Sequence, residues 1–405
     1  MKKFIMYGAG NIGRGFIGKI FSQSGYKVGF IDINEQVIAR LNQDQCYPVE
    51  IVSNDGVKNL TVNNVYGIDG KDVELVATEI ASADAMATAI GVNVLKFIAK
   101  PIALGIKKRF EQNAKPFNII ICENLIGADE FLKGLIKEQI PEYADRVDKE
   151  IGFVEASIGR MVPVMAEEDK KGNPLTVRVE PYNILPVDKN AFKGEIPKVD
   201  NLYPFAPFNL FIERKLFMHN MSHATCAYLG YLRKYEYIYQ AIADYDVKYV
   251  AYKALTQSAL AIAKENGVDI DFLLAHAENL LFRFKNVALA DTVERVGKDT
   301  IRKLSSNDRL IGAINLAEKH NLPCESLCIG VAAAMLFNPE ADERSKEIYE
   351  YAHNNGAIKT LEKYSNYTGA HADLIEKAYQ MLKANKSIKE VIEVCDAFEG
   401  SKIRV

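Results

Sequence analysis

Three observations in this 405-residue sequence predict a doubly wound parallel α/β sheet followed by a mostly helical domain. The first half alternates short apolar runs with amphipathic stretches, the pattern of strands buried on both faces and of the helices that cover them. The second half carries helical periodicity almost throughout. Between the two, Pro181, Pro186, Pro197, Pro204 and Pro207 punctuate a stretch that helix cannot tolerate. The junction is expected there, giving domains of residues 1–200 and 201–405.

The elements follow in order. Lys3–Tyr7 reads as a short apolar strand, and the next helix buries Phe16, Ile17, Ile20 and Phe21. Lys27–Asp32 is the second strand. Further buried strands are expected at 85–90, 117–122 and 151–156, each ending near Gly, Asn or Ser, where carboxyl ends of parallel strands meet a ligand. Residues 176–180 alternate like a strand. From 209 onward, helices are expected at 209–234, 236–266, 270–285, 291–303, 307–320, 324–337, 343–352, 356–365, 370–384 and 387–397.

Composition excludes several classes of function. Lys and Arg number 50 against 53 Asp and Glu, a formal charge of -3, so no global basic excess points to nucleic acid. Any anion must be held by a local cluster. No apolar run approaches the ~18 residues of a membrane span, and glycines interrupt the opening MKKFIMYGAG too early for a secretory signal. The six cysteines are scattered and read as reduced core residues of a cytoplasmic protein. His320-x3-Cys324-x3-Cys328 has a metal-like spacing, but Pro323 lies inside it and no fourth ligand is near, so no metal is expected.

Gly8-Ala-Gly10-Asn11-Ile12-Gly13 fits G-x-G-x-x-G between a strand and an amphipathic helix. Gly8 makes the tight turn, Gly10 lets backbone approach a pyrophosphate, and Gly13 lets helix pack on strand. Amides at the helix start, around Asn11 and Ile12, face the phosphates. Asp32 ends the second strand 19 residues after Gly13. A carboxylate there accepts from the ribose hydroxyls and repels an extra phosphate, so a Rossmann-like domain binding NAD is expected.

Lys215-Leu-Phe-Met-His-Asn220-Met-Ser-His223 places an amine, an amide and an imidazole on one helix. At about 100° per residue, Asn220 lies about 140° and His223 about 80° around from Lys215. An amine that sheds a proton between two hydrogen-bonding groups suits interconversion of an alcohol and a ketone. A lysine of ordinary pKa needs a shift worth about 4 kcal/mol to act as a base near neutral pH. Leu216, Phe217 and Met218 supply apolar surroundings, and the positive nicotinamide ring adds a cation. The plain alternatives are a snorkelling lysine beside Glu213 and Arg214, a surface amide and a satisfied core histidine. His219 is a rival base, about 40° from Lys215.

GAGNIGRG, ICENL with Asn124, and ERKLFMHNMSHA together resemble the polyol-specific long-chain dehydrogenases, the mannitol dehydrogenase family. The resemblance extends over ATAIGVNVL at 87–95 and RVGKDTIRKLSSNDRLIG at 295–312, and points to members acting on mannitol 1-phosphate. It implies metal-free hydride transfer with NAD, yielding fructose 6-phosphate, with Lys215 as general base. It further implies that Asn124 and Asn220 hydrogen-bond the reacting oxygen, as oxyanion-type donors, and that His223 orients the neighbouring hydroxyl. Arg295 and Lys303 match positions that contact the far substrate hydroxyls. Lys298, Arg302 and Arg309 surround them, and a phosphate monoester explains such a cluster.

One departure stands out. Where the family commonly carries Asp-Arg, this sequence has Gly159-Arg160, leaving a substrate contact missing or supplied by Glu155 or Ser157. The Tyr249-x3-Lys253 pair resembles a short-chain dehydrogenase dyad but falls in the helical half. The expected partner is a sugar or polyol phosphate, with no nucleic acid and no membrane, acting on a monomer or homodimer. Alternatives are a mannitol 2-dehydrogenase, a tagaturonate or fructuronate reductase, and a non-catalytic NAD sensor.

Overall fold

The computed structural model describes residues 1–125 and 127–400, with the side chains of residues 399 and 400 left aside. Two compact units divide the chain, Met1–Phe211 and Ile212–Val405.

Among the described residues, the first unit holds eleven strands: β1 (Lys3–Tyr7), β2 (Lys27–Asp32), β3 (Cys46–Ser53), β4 (Gly56–Asn63), β5 (Val65–Asp69), β6 (Ala85–Thr88), β7 (Phe117–Ile121), β8 (Ile151–Glu155), β9 (Val177–Val179), β10 (Leu185–Asp188) and β11 (Leu202–Phe205). Six of them form one parallel sheet in the order β5-β2-β1-β6-β7-β8. The order reverses between β1 and β6, so a crevice opens beyond their carboxyl ends, where such sheets bind ligands. The expected strands form this sheet's middle and one edge, and β1, β6 and β7 are buried nearly end to end, as doubly covered parallel strands must be.

The sequence reading did not anticipate five strands of this unit, β3, β4, β5, β10 and β11. β5 completes the far edge of the sheet beside β2. β3 and β4 form an antiparallel hairpin around the Asn54-Asp55 turn, and β9 adds to β3 in parallel, making a second small sheet. The hairpin's outer strand is largely exposed, and so carries too little apolar alternation to announce itself. The proline-rich stretch holds the short parallel pair β10 and β11, whose Pro186 and Pro204 are tolerated in so small a sheet.

The second unit is helical. Helix Glu325–Ala334, with all ten residues buried, lies at its centre and packs against Met221–Leu232, Tyr245–Asn266, Ala372–Lys383 and Ile388–Gly400. Two expected helices are interrupted. The 236–266 segment breaks at Asp244, which caps the second piece by accepting from Asp246 and Val247 amides. The 291–303 segment breaks at Lys298 and Asp299, the latter at φ +66. No helix among the described residues is long and apolar enough to cross a membrane. All six cysteines are free thiols.

Candidate active site

In the first unit, the chain leaves β1 into Gly8 at φ +105, a backbone conformation that favours glycine. A Cβ on Gly8 would meet Ala89 O at 2.5 Å, and one on Gly13 would meet Gly8 O at 2.0 Å. Gly10 differs: nothing lies within 4 Å of its would-be Cβ, and the residue is exposed. Gly8 and Gly13 are therefore required by the chain itself, whereas Gly10 leaves space for something else. The first helical hydrogen bond runs from Arg14 N to Gly10 O at 3.0 Å. The amides of Asn11 and Ile12 belong to the helix's first turn, whose N–H groups lack intrahelical acceptors and suit a pyrophosphate.

Asp32 takes part in the loop directly. Its Oδ2 accepts from Ala9 N at 2.8 Å, and its Oδ1 accepts from Asn34 N at 3.0 Å. The carboxylate thus fixes the glycine turn, and lone pairs on both oxygens remain for ribose hydroxyls. These residues fit a dinucleotide.

Asn124 is exposed, just past the end of β7. Its neighbour Glu123, not singled out from sequence, is buried and accepts from the amides of Ile90 and Gly91 at 3.0 and 2.9 Å. It therefore fastens the loop after β6 to the end of β7. A carboxylate at the end of an apolar strand was the available signal. Arg160 is buried, donating to Glu180 O at 2.6 and 3.0 Å and to Gly15 O at 3.1 Å. Beside it, a Cβ on Gly159 would approach the Tyr182 ring at 3.3 Å. Ser157, one proposed substitute for the missing aspartate, is buried and donates its hydroxyl to Phe211 O at 3.1 Å.

In the second unit, the helix bearing Lys215 is not α-helical where it matters. Arg214–Asn220 is a π-helix, continued as α-helix by Met221–Leu232, and Met221 N–H reaches back five residues to Leu216 O. The angles expected from an α-helical wheel therefore do not hold. With i to i+5 bonding, Asn220 takes the place relative to Lys215 that residue i+4 takes in an α-helix. The amide moves from the far flank to the turn next to the amine. His223, three residues further in the α-helical part, is Asn220's neighbour on the helix surface.

The rival base His219 is buried, and its basicity is pushed well down by that burial and then by Arg283, His223, His276 and Lys215. His276 is pushed down likewise, by burial and then by Arg214 and Arg283. Cationic and neutral groups thus gather around this turn.

His223 stacks on Phe284 with ring centroids 4.8 Å apart and planes 14° off parallel. Its Nε2 is 3.1 Å from Asp291 Oδ2, an ion-pair distance, with the ring turned off a straight hydrogen bond. Asp291 Oδ1 accepts from Arg295 Nε at 2.7 Å. Burial alone would raise the Asp291 pKa, but His223 and Arg295 outweigh it and hold the carboxyl below its usual range. Asp291 escaped the sequence reading because its partner His223 lies 68 positions earlier.

The basic cluster is more balanced than a tally of cations implies. Between 291 and 309, five Lys and Arg alternate with four Asp and Glu. Arg302 pairs with Asp299 at 2.9 Å and Asp308 at 3.4 Å, and Arg309 pairs with Asp308 at 2.7 Å. Lys303 is buried and donates to the carbonyls of Val296 and Lys298. Burial, then Arg309 and Arg302, lowers its amine to about 7, while the two carbonyls favour the charged form. Lys298 is exposed and makes no ion pair among the described residues. His320, from the metal-like motif, pairs with Glu265 at 2.7 Å. No group of three or more His, Cys, Asp or Glu placed to hold a metal occurs among the described residues.

Solved structures share this architecture at low sequence identity. A D-sorbitol dehydrogenase in substrate-free form is similar at TM-score 0.79 and 15% identity, over 94% of this chain and 92% of that one. A Pseudomonas fluorescens mannitol 2-dehydrogenase, solved as a ternary complex with NAD and D-mannitol, is similar at TM-score 0.75 and 15% identity, over 97% of this chain and 94% of that one. At such identity the likeness speaks for the fold. The sequence itself matches the mannitol dehydrogenase Rossmann domain over residues 2–201 and the mannitol dehydrogenase C-terminal domain over residues 208–400. With nearly the whole chain accounted for by those two domains, the protein belongs to the mannitol dehydrogenase family.

Proposed function

We propose that the protein is an NAD-dependent polyol dehydrogenase that interconverts mannitol 1-phosphate and fructose 6-phosphate. The observation that carries this reading is the π-turn, which sets Asn220 beside Lys215 with His223 next along the helix. NAD, when bound, supplies the hydride acceptor. Gly8, Gly10, Asn11, Ile12 and Gly13 offer backbone to its pyrophosphate, and Asp32 accepts from its ribose.

Lys215 takes the proton of the hydroxyl being oxidised. For that it must reach the neutral form when NAD and substrate are bound, with the positive nicotinamide ring as the cation that favours it. Asn220 donates to the oxygen as negative charge develops on it, with Asn124 as the second amide. His223 holds the adjacent hydroxyl. Arg295 and Lys303 serve the far hydroxyls, and Lys298 with Arg302 serves the phosphate. Lys298, exposed and outside the ion pairs that neutralise Arg302 and Arg309, supports a phosphate there.

A second reading, dehydrogenation of the unphosphorylated hexitol, is favoured by the carboxylates that neutralise Arg295, Arg302 and Arg309. Length does not separate the two readings, since 94% of the mannitol 2-dehydrogenase chain is covered.

The test is NADH oxidation with fructose 6-phosphate or fructose as substrate. Turnover of the phosphate ester is expected, with a loss of about 1,000-fold or more on Lys215→Ala at unchanged NADH binding. The chain has no Trp, so NADH fluorescence reports that binding directly. Turnover of fructose alone moves the assignment to the second reading. Binding without turnover of either sugar overturns the enzyme reading in favour of an NAD sensor.

A further inference from the structure

We infer that Asp291 is a positioning residue that fixes which nitrogen of His223 meets the substrate. The inference rests on the proposed role of His223 in holding a substrate hydroxyl. An ionised carboxylate can only accept hydrogen bonds, so a ring nitrogen facing it is the one that carries the proton. Nε2 of His223 is buried and lies 3.1 Å from Asp291 Oδ2. In the neutral ring Nδ1 is then the acceptor, and the Phe284 face at 4.8 Å limits how the ring can turn.

The same carboxylate holds Arg295 through Oδ1, so one largely buried side chain orients both an acceptor and a donor array. A fixed acceptor next to fixed donors suits a polyol, whose hydroxyls donate to one neighbour and accept from the next. Asp291 itself touches no substrate in this scheme. The off-line geometry of the His223 contact is the looseness expected before substrate draws the group into register.

Histidine labelled with 15N reports the tautomer, and among six histidines His223 is assigned by comparison with His223→Asn. At pH 8 the wild-type ring is expected to carry its proton on Nε2. In Asp291→Asn the amide can offer N–H to Nε2, and the ring is expected to shift to the Nδ1–H form. Loss of a hydrogen bond to a charged group predicts that KM for the sugar rises about 10- to 100-fold in this variant, with NADH affinity unchanged. A substrate analogue lacking the hydroxyl beside the reacting carbon should lose affinity in the wild type but little more in Asp291→Asn.

An imidazolium or an Nδ1–H ring in the wild type overturns the inference, as does an unchanged tautomer or unchanged KM in Asp291→Asn. If the wild type turns over no sugar, the proposed function falls. The ring readout alone then decides whether Asp291 sets the tautomer.

Discussion

Among the described residues each unit contains one π-helical turn, and the two are built by opposite means. Gly13–Ile17 follows the glycine loop, and Gly18 N–H reaches back five residues to Gly13 O. Arg214–Asn220 contains no glycine at all. The first turn is a packing necessity: a Cβ on Gly15 would meet Val179 at 2.9 Å, and one on Gly18 would meet the Phe30 ring at 2.3 Å. Its carbonyls are held from far away in sequence, Arg14 O by the Tyr47 hydroxyl at 2.7 Å and Gly15 O by Arg160. In the second turn a carbonyl is held from within the same helix, where the Ser222 hydroxyl donates to Met218 O at 2.6 Å. The comparison teaches that the cofactor turn is locked by tertiary structure, whereas the Lys215 turn is a local departure from an α-helix that continues it.

The largest effect is expected where the first turn cannot yield. Gly13→Ala places a methyl 2.0 Å from Gly8 O and should cost about 3 kcal/mol or more of stability, read as a lowered thermal midpoint. Gly10→Ala meets nothing in the chain and should leave that midpoint in place while weakening NADH binding by about tenfold or more. Equal destabilisation by the two substitutions would break the assignment of Gly10 to the ligand.

The second turn should fail differently. Inserting an alanine after Leu216 sets Asn220 six residues beyond Lys215, a spacing that neither i+5 nor i+4 bonding brings to the next turn. Turnover should fall on the order of 100-fold, since misplacement by about 1 Å costs that much, while NADH binding persists. An insertion variant with near-normal turnover would show that the π-turn does not place Asn220.

What the sequence disclosed follows the same division. The glycine loop and Asp32 were legible because Gly8, Gly10 and Gly13 and the carboxylate form one compact motif, in which Gly8 and Gly13 answer contacts nearby or beside the adjacent strand and Gly10 leaves room for a ligand. The π-turn was not, since residues 214–220 have ordinary helical composition and the wheel assumes 3.6 residues per turn. Likewise the cations at 295–309 were visible as a run, but the aspartates woven among them were not weighed as partners. Asp291, 68 positions beyond His223, needed the fold to bring it there. β5 was missed because Gly67 interrupts its apolar run, and that glycine packs against the backbone of Ile38.

A finer contrast comes from removing one hydroxyl beneath each turn. Tyr47→Phe leaves Arg14 O without its donor in a buried site and should cost about 1–3 kcal/mol, with weaker NADH binding and little change in kcat. Ser222→Ala removes a hydroxyl that bonds back to the carbonyl four residues earlier, a contact that by itself bends helices more than it stabilises them. Its cost should stay within about 1 kcal/mol, the smallest effect of the series. Because that hydroxyl supports the turn between Lys215 and Asn220, the change should appear as a few-fold loss of kcat at constant NADH affinity. Thermal denaturation and NADH titration on both variants separate the cases, for Tyr47→Phe must move the binding and Ser222→Ala must not. The reverse pattern would mean that the locked turn and the local turn have been interchanged.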